Sequence, residues 1–275
     1  MSVTASTAPE DGRAELARRA ARLGVVRASD LGARRSPRSS PVPPPAPVAA
    51  PAVVPEGPGV VDLESAAPLP VSAPLAGLLP AGGLRRGSTV AVSGSSALVL
   101  AVLAEASRAG SWCALVGLPG IGLQAAAEAG LDLSRTALVP RPGPRPATVV
   151  AALVDGVDVV VLGGTAQWRA GDRQRLAARV RQRGAVLVPV VTASGGWPGA
   201  EVELHATGGT WSGLAGDGAG RLRARRVHLR CAARGRAHDR RDDVLLPGPT
   251  GACAAVEAPA VHGGRGETTI GVRAG

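Results

Sequence analysis

The sequence predicts an α/β fold with a mostly parallel sheet, helices on both faces and a strand-rich C-terminal part. Nearly continuous runs of Val, Leu and Ala alternate with helix-length segments between residues 88 and 191, a pattern typical of parallel strands buried on both faces. After residue 200, segments such as AEVELHAT and RLRARRVHLRC follow one another as strands and turns. The 275 residues are sufficient for one domain of about 150 to 200 residues and flanking segments.

Five strands and four helices are expected in the alternating region. The strands are predicted over residues 88–93, 112–117, 136–139, 157–162 and 185–191. The helices are predicted between them, over residues 97–109, 121–129, 147–153 and 172–182. Each helix-length segment therefore joins two strands, as parallel strand pairs require.

Four regions are expected along the chain. Residues 1–27 contain a short amphipathic helix, and residues 28–74 are a Pro/Ala-rich linker, because proline lacks the N–H group that strand ladders and helices use. The α/β domain occupies residues 75–248, and residues 249–275 form a flexible tail. The N-terminal helix is either a docking element for a partner or a second contact on its own domain.

Positive charge is concentrated near the C-terminus of a chain whose net charge is +10. Residues 221–241 contain nine arginines and one aspartate, and such a surface attracts polyanions, nucleic acid above all. Alternatively, these arginines form a solvated strand surface in a chain that has no lysine. The nine are Arg221, Arg223, Arg225, Arg226, Arg230, Arg234, Arg236, Arg240 and Arg241.

A second set of arginines recurs at four-residue spacing along the last predicted helix. Arg175, Arg179 and Arg183 line one side of it, forming either a solvated face or the rim of an interface. The three cysteines are far apart and lack metal-ligand spacing, which indicates reduced thiols and no metal site. No segment has the character of a membrane span or a secretion signal, so a cytoplasmic location is expected.

An ordered series of motifs resembles the ATPase core of the RecA family. The series is LLPAGGLRRGSTVAVSG, LAEASRAG, WCALVG, AEAGLDLSRTALVPRPGP and VDVVVLGGTAQW, over about residues 75–205. With WPGAEVEL, TWSGL and GRLRARRVHL added, the chain looks like the ImuA-prime group, the RecA-like accessory proteins of the ImuB mutagenesis cassette in high-G+C bacteria. The resemblance implies a RecA-like, P-loop-type core.

The nucleotide site of this core is degenerate in sequence. The phosphate loop is reduced to Gly94, Ser95 and Ser96, too short to wrap a triphosphate, and no lysine exists to reach the β and γ oxygens. Gly163 stands at the Walker B acid position and is followed by Gly164, while the GLPGIG segment offers no carboxylate to activate water. The sequence therefore predicts a non-enzymatic protein without cofactor or metal. Its short turn is either a plain connection or a weak anion site.

The resemblance implies partners in damage-induced translesion synthesis. They are an ImuB-like inactive relative of Y-family polymerases, a DnaE-type error-prone polymerase reached through it, and RecA itself, with recruitment to the nucleoid at damage. The two loops with which RecA-like recombinases grip DNA are short here, at GGTAQWRAG and TASGGWPG. Phe and Tyr are absent, and Trp168, Trp197 and Trp211 either pack in the core or form exposed anchors. The alternative function is sequence-independent, salt-sensitive DNA binding through the C-terminal arginines.

Overall fold

A computed structural model describes residues 26–27, 66–165, 168–192, 195–215, 219–235, 237–256 and 270–271. Its strands, in chain order, are β1 (Val26–Arg27), β2 (Val90–Ser93), β3 (Cys113–Val116), β4 (Thr136–Val139), β5 (Val159–Leu162), β6 (Val186–Val191), β7 (Val202–Leu214), β8 (Gly220–Ala233), β9 (His238–Leu245), β10 (Ala254–Ala255) and β11 (Ile270–Gly271). Its helices are α1 (Ala73–Leu78), α2 (Ser96–Arg108), α3 (Leu123–Ala129), α4 (Pro146–Val154) and α5 (Ala170–Arg183), with a 3₁₀ turn at Leu133–Arg135.

All these strands belong to one mixed sheet. From β4 the order runs β4-β3-β5-β6-β2-β7-β8-β9, parallel as far as β7 and antiparallel from β7 to β9. The short strands β1, β10 and β11 pair antiparallel with β4, β9 and β7 respectively. The predicted α/β architecture is confirmed, with a mostly parallel sheet, helices on both faces and a strand-rich C-terminal part.

Two hydrophobic layers cover the parallel part of the sheet. On one face, α1, α2 and α3 pack with inward-facing residues of the strands such as Val92, Leu115 and Val161. On the other face, α4 and α5 pack with residues such as Val160 and Leu187. Because β2, β3 and β5 are buried on both faces, they consist of uninterrupted small and apolar residues.

The antiparallel part of the sheet is covered on one face. Leu204 of β7, Leu229 of β8 and Val244 of β9 are buried in the layer that contains α2. The residues that alternate with these buried residues along each strand, including Thr207 and Arg226, are exposed on the opposite face. We call this opposite side of β7, β8 and β9 the open face. Its alternation of buried and exposed residues is that of a sheet that meets water on one side.

β7 and β8 extend beyond their neighbours as a two-stranded arm. β2 pairs with β7 over Val202–His205, and the chain from β9 to Pro247 pairs with β8 no further than Arg225. Residues 208–214 of β7 and 220–224 of β8 therefore continue as a ribbon, which we call the β7–β8 arm; β11 pairs with its outer edge at Thr210 and Trp211. A register shift between Thr207 and Thr210 interrupts the pairing at two glycines.

The structured body extends beyond the boundaries that the sequence predicted. Leu69 and Val71 are 3% and 8% exposed, and the Leu69 backbone pairs with Leu84, so residues assigned to the linker belong to the core. At the other end, Ala254 and Ala255 of the expected tail pair with β9. Val26 and Arg27, assigned to the region of the N-terminal helix, form β1 instead and pair with β4. Valine is β-branched, and β-branched residues favour strands.

The rest of the predicted helical segment and most of the linker lie outside the described residues. No helix in the described part of the chain is long and apolar enough to cross a membrane.

Candidate functional site

The turn that replaces the phosphate loop is pressed against β7. β2 ends at Ser93, α2 begins at Ser96, and Ser95 caps the helix without a side-chain hydrogen bond. Gly94 has a φ of +88°, and a Cβ added there would lie 1.9 Å from the Ala206 carbonyl oxygen of β7. Only glycine fits without a backbone shift, because both its conformation and the space require it. The β7 backbone closes one side of the turn, which leaves no loop to wrap phosphates.

Ser93, at the end of β2, is engaged by the same strand. Its Oγ lies 2.6 Å from Nδ1 of His205, the residue opposite it in the β2–β7 register. The Ser93 side chain is buried, and its hydroxyl is also within 3.5 Å of the Leu204 carbonyl oxygen. This contact was missed by sequence reasoning, because the partner of a strand residue depends on register. It ties the end of β2 to β7.

The Walker B end is closed in a similar way. Gly163, directly after β5, donates its N–H to the Val116 carbonyl at 2.8 Å, and a Cβ at Gly163 would lie 2.3 Å from the Gly117 carbonyl oxygen. A carboxylate side chain at this position would require the end of β3 to move. Gly164, which follows, has a φ of +62°. The geometry therefore places backbone where a magnesium-binding acid would stand.

Asp158 lies at the opposite end of β5. Its carboxylate accepts a 2.9 Å hydrogen bond from the Trp112 backbone N–H and a 3.2 Å bond from Arg86. The described residues include no group of three His, Cys, Asp or Glu side chains that could hold a metal ion. Burial raises the pKa of the Cys113 thiol to about 12 and that of Cys231 to about 11, which makes both thiols poor nucleophiles and ligands.

Most of the C-terminal arginines are engaged within the fold. Arg230 makes a two-point contact with Asp239 at 2.8 and 3.0 Å, and Arg226 donates to Asp243 at 2.8 Å. Arg241 approaches Asp239 at 3.7 Å. The Arg230 and Arg226 pairs join β8 to β9 on the open face, whereas the Arg241 pair lies within β9; in all three, the arginine contacts a carboxylate of the chain itself.

Backbone carbonyls hold two further arginines of the cluster. Arg225 donates to the Gly208 carbonyl and Arg240 to the Gly77 carbonyl, both at 2.6 Å. His238, beside Arg240 on β9, lies 2.7 Å from the Leu78 carbonyl, so β9 satisfies the C-terminal end of α1. Among the described residues, the side chains of Arg221, Arg223 and Arg234 make no hydrogen bond or ion pair, while Arg236 lies outside them.

The acid partners of these arginines have lowered pKa values. The Arg230 hydrogen bond holds the pKa of Asp239 below its usual value. Burial would raise the pKa of Asp243, but hydrogen bonds from His228 and Arg226 outweigh it and lower that pKa. Both carboxylates are therefore ionised at neutral pH and neutralise much of the positive charge of the open face.

The arginines of α5 divide into bound and exposed residues. Arg179 donates two hydrogen bonds to Asp155 at the end of α4, and Arg183 donates a third at 3.0 Å. The Arg179 hydrogen bond is the main cause of the lowered pKa of Asp155. Arg175 has an 84% exposed side chain and a 3.5 Å contact with Asp172. Two of the three arginines thus join α5 to α4, which leaves Arg175 as the exposed member.

The loop tryptophans pack inward. Trp168 and Trp197 are buried edge to face with ring centroids 6.0 Å apart, and the Arg173 guanidinium lies 5.7 Å from the Trp197 centroid. Both loops that carry these residues are short: β5 ends at Leu162 and α5 begins at Ala170, while β6 ends at Val191 and β7 begins at Val202. Neither tryptophan is therefore an exposed platform for a base.

The chain is similar over part of its length to one family model and to two solved structures. The model of a family described as the MT3502 N-terminal domain matches residues 77–199, somewhat less than half of the chain. No curated protein matches. The RadB recombinase structure is 17% identical with a TM-score of 0.47, over 66% of this chain and 96% of that one. A KaiC-like protein from Pyrococcus horikoshii OT3 is 14% identical with a TM-score of 0.49, over 69% of this chain and 98% of that one.

Proposed function

We propose that this protein is a non-enzymatic RecA-fold adaptor in error-prone translesion synthesis. It binds an ImuB-type inactive polymerase and, through it, supports recruitment of a DnaE-type error-prone polymerase. This role requires the fold as a scaffold and requires no nucleotide chemistry. The protein acts in the cytoplasm and at the nucleoid when recruited to damaged DNA.

The observation that carries the proposal is the closure of the nucleotide end of the sheet. Gly94 lies against the Ala206 carbonyl, and Gly163 lies against the Gly117 carbonyl. Parallel α/β sheets bind ligands where the carboxyl ends of their strands leave a crevice. In this chain, carbonyl oxygens lie close against both glycines and the chain lacks lysine, and these two observations support a fold that offers a triphosphate neither a cradle nor a compact cation.

The open face supports a protein as the main partner. Arg226, Arg230 and Arg241 are balanced there by Asp239 and Asp243. Such a mixed surface suits another protein better than a polyanion, because the carboxylates repel phosphates while arginine is common at protein interfaces. The resemblance to the ImuA-prime group supplies the identity of that partner.

The first experiment measures binding between purified proteins in the presence of nuclease. The full chain is titrated with the ImuB-like protein from the same genome, with and without the DnaE-type polymerase. We expect saturable binding to the ImuB-like protein, and capture of the polymerase only when that protein is present. Absence of binding to the ImuB-like protein would overturn the adaptor role.

A pair of variants tests whether the open face is the interface. Thr207→Glu places a carboxylate on the exposed centre of this face, whereas Arg175→Glu changes an exposed residue of α5. We expect Thr207→Glu to weaken ImuB binding at least about tenfold, since an unmatched charge at an interface is costly, and Arg175→Glu to change it less than about twofold. Equal binding by both variants would assign the interface to another surface.

A nucleotide titration tests the absence of catalysis separately. Calorimetry with Mg-ATP at concentrations up to about 1 mM should give no saturable heat, because the residues that hold a triphosphate are missing. Saturable binding that Ser95→Ala abolishes would show that the turn still holds a nucleotide, and release of phosphate by the same sample would contradict the non-enzymatic assignment while leaving the adaptor role intact.

A further inference from the structure

We propose that the β7–β8 arm is a DNA-binding element that enters a groove of duplex DNA. Arg221 and Arg223 contact phosphates, and Leu222 lies against the bases. This activity belongs to the chain alone and goes beyond the adaptor role, since it requires no protein partner. It also differs from binding by the whole arginine cluster, because most of that cluster is already engaged.

The arm carries two of the three described arginines of the cluster whose side chains make no hydrogen bond or ion pair, and Arg234 is the third. Arg226, Arg230 and Arg241 are paired with carboxylates, and Arg225 and Arg240 with backbone carbonyls. In contrast, the side chains of Arg221 and Arg223 are exposed and make no hydrogen bond or ion pair in the described part of the chain. An unpaired arginine can contact a phosphate without first losing a partner, and its planar fork matches phosphate geometry.

Leu222 stands between these two arginines. It is 50% exposed and is the one large hydrophobic side chain exposed among the described residues. Because side chains alternate along a strand, Leu222 projects from the opposite side of the ribbon to Arg221 and Arg223. Proteins that bend DNA insert such apolar wedges between base steps while arginines hold the backbone. The arm therefore has both components of a wedge contact.

The shape of the arm fits a groove. Beyond Trp211, where β11 no longer pairs with β7, the described arm is a two-stranded ribbon, and other proteins place strands in either groove of DNA, including the minor groove from which apolar wedges are inserted. The Arg225 and Arg223 side chains lie over Gly209 and Gly213, where an added Cβ would come within 3.0 Å of them. Glycine at these positions lets the arginine side chains lie close to the backbone and keeps the ribbon thin.

The distribution of charge favours the arm, rather than the open face, as the site that contacts DNA. The described arm carries Arg221 and Arg223 and no acid, whereas β9 sets Asp239, Asp242 and Asp243 beside Arg240 and Arg241. The described arm therefore has unbalanced positive charge, whereas acids offset the arginines of the sheet beside it. Thr210 of β7 adds a hydroxyl group of the type that binds phosphate oxygens.

The test is fluorescence anisotropy with a labelled duplex of about 30 base pairs, titrated with the full chain between about 50 and 200 mM salt. The double variant Arg221→Ala, Arg223→Ala should weaken binding at least about tenfold at the lower salt and reduce the salt slope by about 2. The matched control is Arg226→Ala, Arg241→Ala, which removes the same charge from paired arginines. It should weaken binding less than about threefold.

A second measurement examines the wedge. The ends of the duplex carry a donor and an acceptor dye, and bound wild type should bring them closer together. Leu222→Ala should abolish this change while leaving the salt slope unaltered, because the phosphate contacts remain. A Leu222→Met variant keeps an apolar side chain and should retain the bend.

Four outcomes would overturn the proposal. They are absence of duplex binding by the wild type at the lower salt, equal loss in the two double variants, tighter binding to a single strand than to the duplex, and equal competition by polyglutamate of matched charge. The last would identify the arm as a surface for an acidic protein. Since none of these measurements includes the ImuB-like protein, the adaptor role is tested independently.

Discussion

The parallel and antiparallel parts of the sheet differ in the residues that stand where a ligand could bind. At the carboxyl ends of β2 and β5, Gly94 and Gly163 are pressed against neighbouring backbone. In β8 and β9, by contrast, Arg226 and Arg230 remain but are matched by carboxylates on the adjacent strand. In one part, glycines stand at the carboxyl ends of two parallel strands where an added side chain has no room, and in the other, charged residues have partners within the fold.

The residue types in a segment therefore do not decide alone what it can bind: a side chain also needs space, and a charged side chain also needs to be free of partners. At Gly94 and Gly163, an inserted acid or base would lack space, because a neighbouring carbonyl oxygen would lie 1.9 or 2.3 Å from its Cβ. On the open face, removing two carboxylates would release arginines that already stand in position. The two parts therefore predict opposite responses to substitution: a large loss of stability at the glycines and a gain of charge-driven binding at the acids.

The largest effect is expected for Gly94→Ala. Its Cβ would lie 1.9 Å from the Ala206 carbonyl oxygen, at a φ of +88°, so the end of β2 or β7 must shift. We expect a loss of about 3 kcal/mol or more in the free energy of unfolding, from backbone conformation and steric overlap together. Chemical denaturation at neutral pH, with the slope checked for constancy, measures it.

Gly110→Ala is the matched control for this substitution. Gly110 has a φ of +99°, close to that of Gly94, but an added Cβ meets nothing within 4 Å. Its loss should be about 1 to 2 kcal/mol, from the backbone conformation alone. Equal losses for the two variants would show that β7 does not restrain the turn.

The sequence predicted the parallel part closely because burial on both faces leaves a continuous apolar signal. The predicted strand at residues 136–139 agrees with β4, and the predicted helix at residues 97–109 differs from α2 by one residue at each end. The strand predicted over 157–162 begins two residues later, at Val159, although the Asp158 backbone already bonds to Trp112 and Val186 on the neighbouring strands' side. The pattern thus identified the elements and placed the limits of these three within two residues.

The candidate site was less predictable, because it depends on strand register. Glycine at the positions of required side chains was visible in the sequence, but the carbonyl oxygens that close the space around Gly94 and Gly163 were not. Likewise, the charge of residues 221–241 suggested a basic surface, whereas the β8–β9 register sets Arg226 and Arg230 beside carboxylates of β9. The aspartates of the DRRDDV segment did indicate partners for the arginines, but which arginine each aspartate contacts could be assigned only from the pairing of the strands.

An intermediate effect is expected for Asp155→Asn, which weakens the contacts between α4 and α5. Asp155 accepts hydrogen bonds from Arg179 and Arg183, and the partly exposed arginines limit the loss to about 1 to 2 kcal/mol at neutral pH. The pKa of Asp155 is lowered from 3.8, so its stabilisation is fully present above that pH and is lost as the pH falls through the folded-state pKa. The difference in the free energy of unfolding between wild type and variant should therefore disappear in acid.

Asp172→Asn is the control, because its partner Arg175 is mostly exposed. Its free energy of unfolding should differ from that of the wild type by less than about 0.5 kcal/mol over the same pH range.

The smallest effect on stability, and a gain in binding, is expected for Asp239→Asn with Asp243→Asn. Both carboxylates have lowered pKa values and are ionised at neutral pH, so the double variant removes two negative charges beside Arg226, Arg230 and Arg241. Affinity for a duplex should rise about five- to tenfold at low salt, and the salt slope should increase by up to about 2, because the released arginines can bind phosphates.

The control variant is Glu105→Gln with Asp132→Asn. It removes the same charge beside Arg108 and Arg135, away from the open face, and should change affinity less than about twofold. An equal gain in both variants would mean that net charge alone governs binding and that the cross-strand pairs do not keep these arginines from DNA.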